Sequence, residues 1–473
     1  MRCSGDAFLR SRQDAYIETM PLGGPMETPA HRAELARSTF RKMAWRVMPL
    51  LMLAYLACYV DRANISIAAL SMNAAIGITQ STYGVAAGIF FLGYLLFEVP
   101  SSLACHRYGP RMWMARIMFT WGLLSALTAF VWDGTTFVAL RFMLGVAQAG
   151  FVPAAVLYVA RAFPEAFRGR VTGLFLMMVP LSSVISAPAS AWLVGRHGVA
   201  GLQGWQLMFI VEAVPSVLLA VVVMVMMSDK PTEAKWLNVE EREYLRSVMS
   251  AESKAKHEHN LREALFDKQV LALGMVNFGV LITHQTVGLW LPQIMSEFGW
   301  PKSEIGWSMA VIYALSAGAM AFWGRHSDKK RERKYHLLGA LAVASVGLFL
   351  STLMPSPLAK FMALTVSLVC SFASMSVILA IPTQFLKDRA AAGGVAMVMA
   401  IGSLSGFLGS SLVGALREWT GSFTAPIVLI AAFGAIACAT LARIKIGRPS
   451  EADSASSQST SFHNAAMAVH HKD

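Results

Sequence analysis

Runs of about 20 apolar residues, parted by short polar punctuation, recur along nearly the whole chain, and each is long enough to cross a hydrocarbon layer of about 30 Å as a helix. Twelve such runs lie at roughly 46–70, 83–105, 113–132, 136–160, 171–195, 205–228, 270–295, 304–324, 336–354, 358–381, 391–415 and 423–442. The long polar interval between the sixth and seventh, residues 229–268, is charged, helix-favouring and free of proline after Pro231, so it reads as a linker. The predicted organisation is an N-terminal segment over 1–43, a six-helix bundle over 44–228, the linker over 229–268, a second six-helix bundle over 269–443 and a tail over 444–473. The N-terminal segment and the polar tail are expected to be disordered.

Composition agrees with a membrane protein: 55% of residues are hydrophobic and only 14% charged, against about 25% charged in ordinary soluble domains. A net charge of +12 raises the question of nucleic acid, and the placement of the charges answers it. With the N-terminus inside, 34 of the 40 Lys and Arg residues fall in one set of loops and termini, and only Arg196, Lys302, Lys360 and Arg417 in the other. That split follows the positive-inside rule, so both termini and the linker are expected in the cytoplasm, the basic excess reports topology, and no nucleic acid partner is implied. The five cysteines show no paired spacing, so neither a disulfide framework nor a zinc site is indicated and no cofactor is expected. Residues 1–43 hold no apolar signal core, which leaves targeting to the first span.

The punctuation repeats between the halves. FPEAFRGR (163–170) follows span four and PTQFLKDR (382–389) follows span ten, while SLACHRYGPR (102–111) and GRHSDKKRERK (324–334) follow spans two and eight. Two related halves facing one cavity is an architecture that places substrate sites near the membrane midplane. GRHSDKKRERK, with Gly324, Asp328, Lys329, Arg331 and Arg333, resembles the loop motif of the major facilitator superfamily, and RFMLGVAQAGFVPAAVLY resembles its second motif, built around Arg141 and Gly145. YVDRANISIAAL, YGVAAGIFFLGYLLFEVPSS, ARIMFTWG and LGVAQAGFVP together are similar to the anion:cation symporter family, over about residues 44–445. The resemblance implies an all-α membrane protein with twelve transmembrane helices in two pseudo-symmetric bundles. It also implies a monomeric carrier of the bacterial inner membrane that moves organic anions such as sugar acids, tartrate or aromatic carboxylates with protons. Arg107, Gly109, Arg111, Gly324, Asp328 and Arg331 would then be gating residues of the two loop motifs. The first motif departs from the pattern, with His106 where an Asp is usual.

Ionisable side chains inside spans are costly, about 2.5–3.5 kcal/mol at a helix centre, and normally serve a cavity or a partner. Five lie well inside: Asp61, Arg62, Glu98, Arg141 and Glu212. Adjacent helical residues diverge by about 100°, so Asp61 and Arg62 point different ways; Asp61 is expected to pair across a helix interface, with Arg141 as the obvious partner, and Arg62 to face the cavity. Asp61 is then the candidate proton site and Arg62 a guanidinium able to grip a carboxylate with two parallel bonds. The resemblance implies the same roles. The plainer alternative is an ion pair that only locks helix packing. Glu98 is a second candidate for proton coupling or gating, and Glu212 a weaker one. Arg141, Gln148, His284, Gln285 and Ser403 complete the candidate substrate contacts. Many relatives carry an acid where Gln148 stands, and glutamine cannot titrate; coupling therefore falls to Asp61 alone, to Glu98 or Glu212, or the protein is a uniporter or exchanger. A proton-driven efflux antiporter of amphiphilic compounds is the competing function. No nucleophile elbow, phosphate loop or metal spacing points to an enzyme.

Overall fold

The computed structural model describes residues 29–196, 198–230, 232, 234, 236–254, 267–330, 332–378, 380–382 and 388–444. All twelve predicted spans are helical. The first bundle comprises α1 (Pro29–Ala75), α2 (Gln80–Tyr108), α3 (Pro110–Leu127), α4 (Gly134–Gln148), α5 (Phe151–Ala162), α6 (Glu165–Leu176), α7 (Met178–Val194) and α8 (Gly204–Met226). A linker helix, α9 (Val239–Lys254), precedes the second bundle of α10 (Lys268–Glu297), α11 (Lys302–Lys330), α12 (Lys334–Leu353), α13 (Pro357–Ile378), α14 (Asp388–Thr420) and α15 (Thr424–Arg443). Helix is the form that satisfies every backbone donor and acceptor within one spanning segment. Polar caps set several starts: Asp133 Oδ1 accepts from the Thr136 amide at 2.7 Å to begin α4, and Asp267 accepts from the amides of Gln269 and Val270 to begin α10.

Spans four and five are each two helices. The fourth breaks after Gln148, where Gly150 takes φ +84°. A side chain at Gly150 would collide with Ser101, whose Cβ lies 2.6 Å from the position a Cβ would occupy. Ser101 Oγ donates to the carbonyl of Ala149 at 2.7 Å, so an acceptor freed by the break finds a partner inside the protein. Pro153 falls in the first turn of α5, where its missing amide proton costs nothing. The fifth span divides at Met177, which keeps helical dihedrals, with Pro180 likewise in the first turn of α7.

The bundles meet through α2 with α14, α7 with α11 and α1 with α10. At the end distal to the linker these contacts are backbone-close. A Cβ on Gly84 would lie 2.5 Å from Ser410 O, one on Gly414 2.5 Å from Gln80 O, and one on Gly306 2.9 Å from Ala187 O. Small residues let helices approach where lipid supplies no hydrophobic drive for association. The Ser81 amide adds a bond to Glu418 Oε2 at 2.8 Å, and the rings of Tyr83 and Trp290 meet edge to face at 5.0 Å.

The first helix starts at Pro29, inside the segment expected to be a disordered tail. Its early turns are held by α9 and α6: Ala36, Phe40 and Met43 are buried, Phe40 packs 4.7 Å from Phe167 and 6.1 Å from Tyr244, and the Arg46 guanidinium lies 5.5 Å over Trp236. Glu241 fixes the join. Its carboxylate, 1% exposed, takes Lys42 Nζ at 2.7 Å and Ser38 Oγ at 2.8 Å, and with Asn238 it forms a reciprocal cap at the start of α9. Burial pushes the Glu241 carboxyl up, but the bonds from Lys42, the Asn238 amide and Ser38 outweigh it and hold the group below the usual carboxylate range. Glu241→Ala is expected to lower the melting temperature of the purified protein, with a loss of about 0.5–2 kcal/mol for the cap alone. Because the folded carboxyl is the stronger acid, this stabilisation is complete above the ordinary Glu range and is lost as pH falls through the folded value. The gap between wild type and variant therefore closes in acid.

Candidate functional site

Close packing of α4 on α2 assembles the site. A Cβ on Gly145 would lie 2.1 Å from Phe90 O and one on Gly93 2.6 Å from Phe142 O, so only glycine admits this approach. It carries Arg141 and Gln148, two turns apart on α4, to the level of Asp61 and Arg62 on α1. There Gln148, fully buried, bridges the acid and the base: Gln148 Nε2 donates to Asp61 Oδ2 at 2.6 Å, and Arg62 Nε donates to Gln148 Oε1 at 2.9 Å. The Cys58 thiol adds a weak bond to the same amide oxygen at 3.5 Å. An amide is suited to this place because it donates to one neighbour and accepts from the other.

This corrects the expected pairing of Asp61 with Arg141. No ion pair joins the two among the described residues, because Gln148 reaches the carboxylate from the same helix. Arg141, 3% exposed, instead lies 4.9 Å over the Phe90 ring. Arg62 is cradled by three rings, at 5.3 Å from Tyr59, 5.3 Å from Phe90 and 4.8 Å from Tyr94. Contacts of this kind contribute about 0.5–2 kcal/mol for a desolvated cation. Among the described residues no carboxylate lies within ion-pair distance of Arg62, and its Nη2 is buried without a hydrogen-bond partner.

Arg62 and Arg141 border a cavity of about 240 Å³ between the bundles. The second bundle contributes His284, Gln285 and Ser403 to its wall, and Glu98 lines it toward the linker end. His284 Nδ1 and Gln285 Oε1 are buried without partners, as is Arg141 Nε. His284 packs edge-on against Phe372 at 4.4 Å. Ser403 spends its proton on its own helix, donating to Met399 O at 3.0 Å. Gln148 and Asp61 stand behind this wall rather than in it, so Gln148 acts on the cavity through Arg62. Much of the remaining wall is aromatic or aliphatic, including Tyr55, Phe91, Tyr94 and Met309. Tyr59 and Tyr94 went unremarked in the sequence; Tyr59, three residues before Arg62, was legible as its same-face neighbour.

The loop-motif residues lie apart from this cavity, at the linker end. Gly109 turns α2 into α3 with φ +87°, and Arg111 donates its amide to Asp229 Oδ1 at 3.1 Å and its Nε to Met224 O at 2.7 Å. Asp229, not singled out in the sequence, supplies from the end of α8 a carboxylate to a loop that has His106 in place of the usual Asp. Arg107 lies 5.5 Å over the neighbouring Tyr108 ring. In the second half Asp328 pairs with Arg333 at 3.3 Å, Arg333 Nη1 donates to Ala380 O at 2.7 Å, and Gly324 packs against Ser376. Arg331 lies outside the described residues.

The model of the Major Facilitator Superfamily matches residues 51–410 and 285–468. A candidate tartrate transporter of Agrobacterium vitis is 43% identical over 401 residues, 84% of this chain and 93% of that protein. A candidate metabolite transport protein, NicT, of Pseudomonas putida is 35% identical over 89% of this chain and 97% of its own length. A quinolone resistance transporter of Acinetobacter baumannii is 34% identical over 84% of this chain and 92% of its own length. Among solved structures, a bacterial homolog of the human lysosomal transporter Spinster, in an inward-facing and unoccupied conformation, shares the fold at TM-score 0.69 and 17% identity, over 84% of this chain and 96% of that one.

The bridge makes a direct prediction. Gln148→Leu strands Asp61 Oδ2 and Arg62 Nε at similar side-chain volume, and each lost bond to a charged group is worth about 1.5–3 kcal/mol. The purified variant is expected to melt below wild type by more than Ser403→Ala, which removes only a bond within one helix.

Proposed function

The chain belongs to the Major Facilitator Superfamily, and we propose that it carries an organic anion together with protons, by alternating exposure of the cavity between its two bundles. The observation that carries this reading is the unpartnered Arg62 Nη2, a buried cationic donor beside a cavity that both bundles line. An arriving carboxylate meets that donor and offsets the uncompensated charge, while Arg141 adds to the positive field. His284 Nδ1 and Gln285 Oε1 stand across the cavity as partners for hydroxyls on the anion's far side. The relatives named for tartrate and metabolite transport support an organic anion as cargo.

The distribution of basic residues supports placing the linker end in the cytoplasm of a bacterial inner membrane. The glycine-packed distal end then seals the outer side, and the cavity runs inward past Glu98. Importing one negative charge against an inside-negative potential costs about 2.3 kcal/mol per 100 mV. One co-transported proton cancels that cost and a second reverses it. Asp61, hydrogen-bonded through Gln148 to the anion-binding Arg62, is the proposed proton site. Anion binding draws on Arg62, the shared amide shifts with it, and proton occupancy at Asp61 follows.

A second reading, efflux of amphiphilic compounds, draws on the named quinolone resistance relative and on the aromatic cavity wall. Uptake into proteoliposomes separates them. Labelled tartrate, sugar acids and aromatic carboxylates are expected to accumulate under an inward proton gradient, and Asp61→Asn to abolish accumulation while exchange persists. Absence of any anion uptake, with drug-driven proton release instead, would establish efflux. Arg62→Lys replaces a planar fork by a point charge; the expected loss of about 1.5–3 kcal/mol raises the half-saturating concentration about ten- to a hundredfold. Gly84→Leu, which cannot fit against Ser410, is expected to block turnover by preventing distal closure, measured as loss of exchange in protein that still reconstitutes.

A further inference from the structure

Glu212, on α8, is a carboxyl inside the first bundle that the cavity site does not use. Its Oε1 accepts from Ser190 Oγ of α7 at 2.5 Å, and its Oε2 is buried with no partner. Ser190 lines the cavity, so one hydroxyl links the carboxyl to the transport path. On α1, which packs on α8, Asn64 is fully buried with both its amide oxygen and its amide nitrogen unpartnered. Asn64 is one helical turn from Asp61 on α1, the helix that packs on α8 and so brings both residues to the Glu212 side of the bundle.

Two features of this arrangement call for explanation. A membrane-buried amide that spends neither atom is expensive, and so is a buried carboxyl oxygen without a donor. Both are accounted for if Asn64 and Glu212 bond in another state of the cycle, when α1 and α8 shift. Meanwhile the α4 neighbour of Asp61 is Gln148, which cannot titrate and presents only its N–H to that carboxylate. Apart from Glu98, which lines the cavity toward the linker end, the intramembrane carboxyls of the first bundle are Asp61 and Glu212, and α1 carries an unspent amide, Asn64, one turn from Asp61.

We propose that Glu212 is the second proton-exchanging group of the transport cycle, loaded from the cavity through the Ser190 hydroxyl and coupled to Asp61 through Asn64. In the loading step Ser190 Oγ passes its proton to Glu212 Oε1 while, in the same concerted relay, it takes a proton from a hydronium in the cavity, so the hydroxyl is restored, the hydronium is left as water and the net change is one proton moved from the cavity to the carboxylate. Four elements pack against α8: α1, α3, α7 and the short 3-10 turn over Thr128–Phe130, which carries no ionisable side chain. The charged groups near it from α1 are Asp61 and, beyond the amide bridge, Arg62. On α3, Arg111 bonds Met224 O near the opposite end of α8 and Arg116 lies 4.0 Å over Trp113. Helix α7 carries no ionisable side chain. Asp61 is therefore the acid that senses the charge of Glu212.

The inference rests on the proton-coupled reading, and its test has one arm free of transport. Infrared difference spectra of the purified protein between acid and neutral pH are expected to contain a carboxylic-acid band that disappears in Glu212→Gln, shifts in Ser190→Ala and shifts in Asn64→Ala. In proteoliposomes, Glu212→Gln is expected to keep counterflow exchange and to lose gradient-driven accumulation. Spectra of Glu212→Gln identical to wild type, or undiminished accumulation in that variant, would overturn the assignment. If the band behaves as stated while the wild type itself shows no gradient-driven accumulation, Glu212 exchanges protons and it is the symport reading that fails.

Discussion

One amide organises the centre of this protein. Gln148 donates to Asp61 and accepts from Arg62, so a buried acid and a buried base are held on one side chain without touching each other. A direct ion pair would have neutralised Arg62 and left nothing for a substrate. The bridge keeps the guanidinium oriented, with Nε committed and Nη2 uncommitted, over three aromatic rings that compensate part of its desolvation. In the proposed cycle, substrate recognition and proton binding share this one hydrogen-bonded unit, so a change at either end is felt at the other.

The backbone is arranged to make that unit possible. Gly145 and Gly93 bring α4 against α2 closely enough for Gln148 to reach α1, and the helix break at Gly150 falls two residues beyond it, sealed by Ser101. At the distal end the same device, glycine against backbone, closes the bundles on each other. Contacts made by small residues are tight in one arrangement and leave little behind when they part, which is what the proposed alternating exposure of the cavity requires of this end. At the linker end the fastening is different: Glu241, Lys42 and Ser38 tie α9 to α1 by charge and hydrogen bonds, outside the apolar layer.

The spans, their number and the division into two sixes were legible because a membrane helix must be apolar along its whole length, and that signal needs no tertiary knowledge. The intramembrane charges stood out for the same reason. Their partners did not. Helical geometry separated Asp61 from Arg62 correctly, but the choice of Arg141 as the partner of Asp61 assumed that opposite charges meet, whereas a neutral side chain two turns further along α4 intervenes. Asp229 was missed because its contact with Arg111 joins residues 118 apart, and the extension of α1 back to Pro29 because a single short amphipathic stretch reads as a tail until α9 is present to cover it. Glu212 was visible as a charge in a span, yet only the fold brings it the Ser190 hydroxyl.

The central claim is that the uncommitted guanidinium of Arg62 selects a carboxylate. The most direct measurement is equilibrium binding to the purified protein, by calorimetry, of each transported acid and of its carboxamide, which keeps the shape and removes the charge. The account predicts measurable binding of the acid, none of the amide, and a specific loss of the acid in Arg62→Lys. Equal binding of acid and amide, unchanged in that variant, would contradict it.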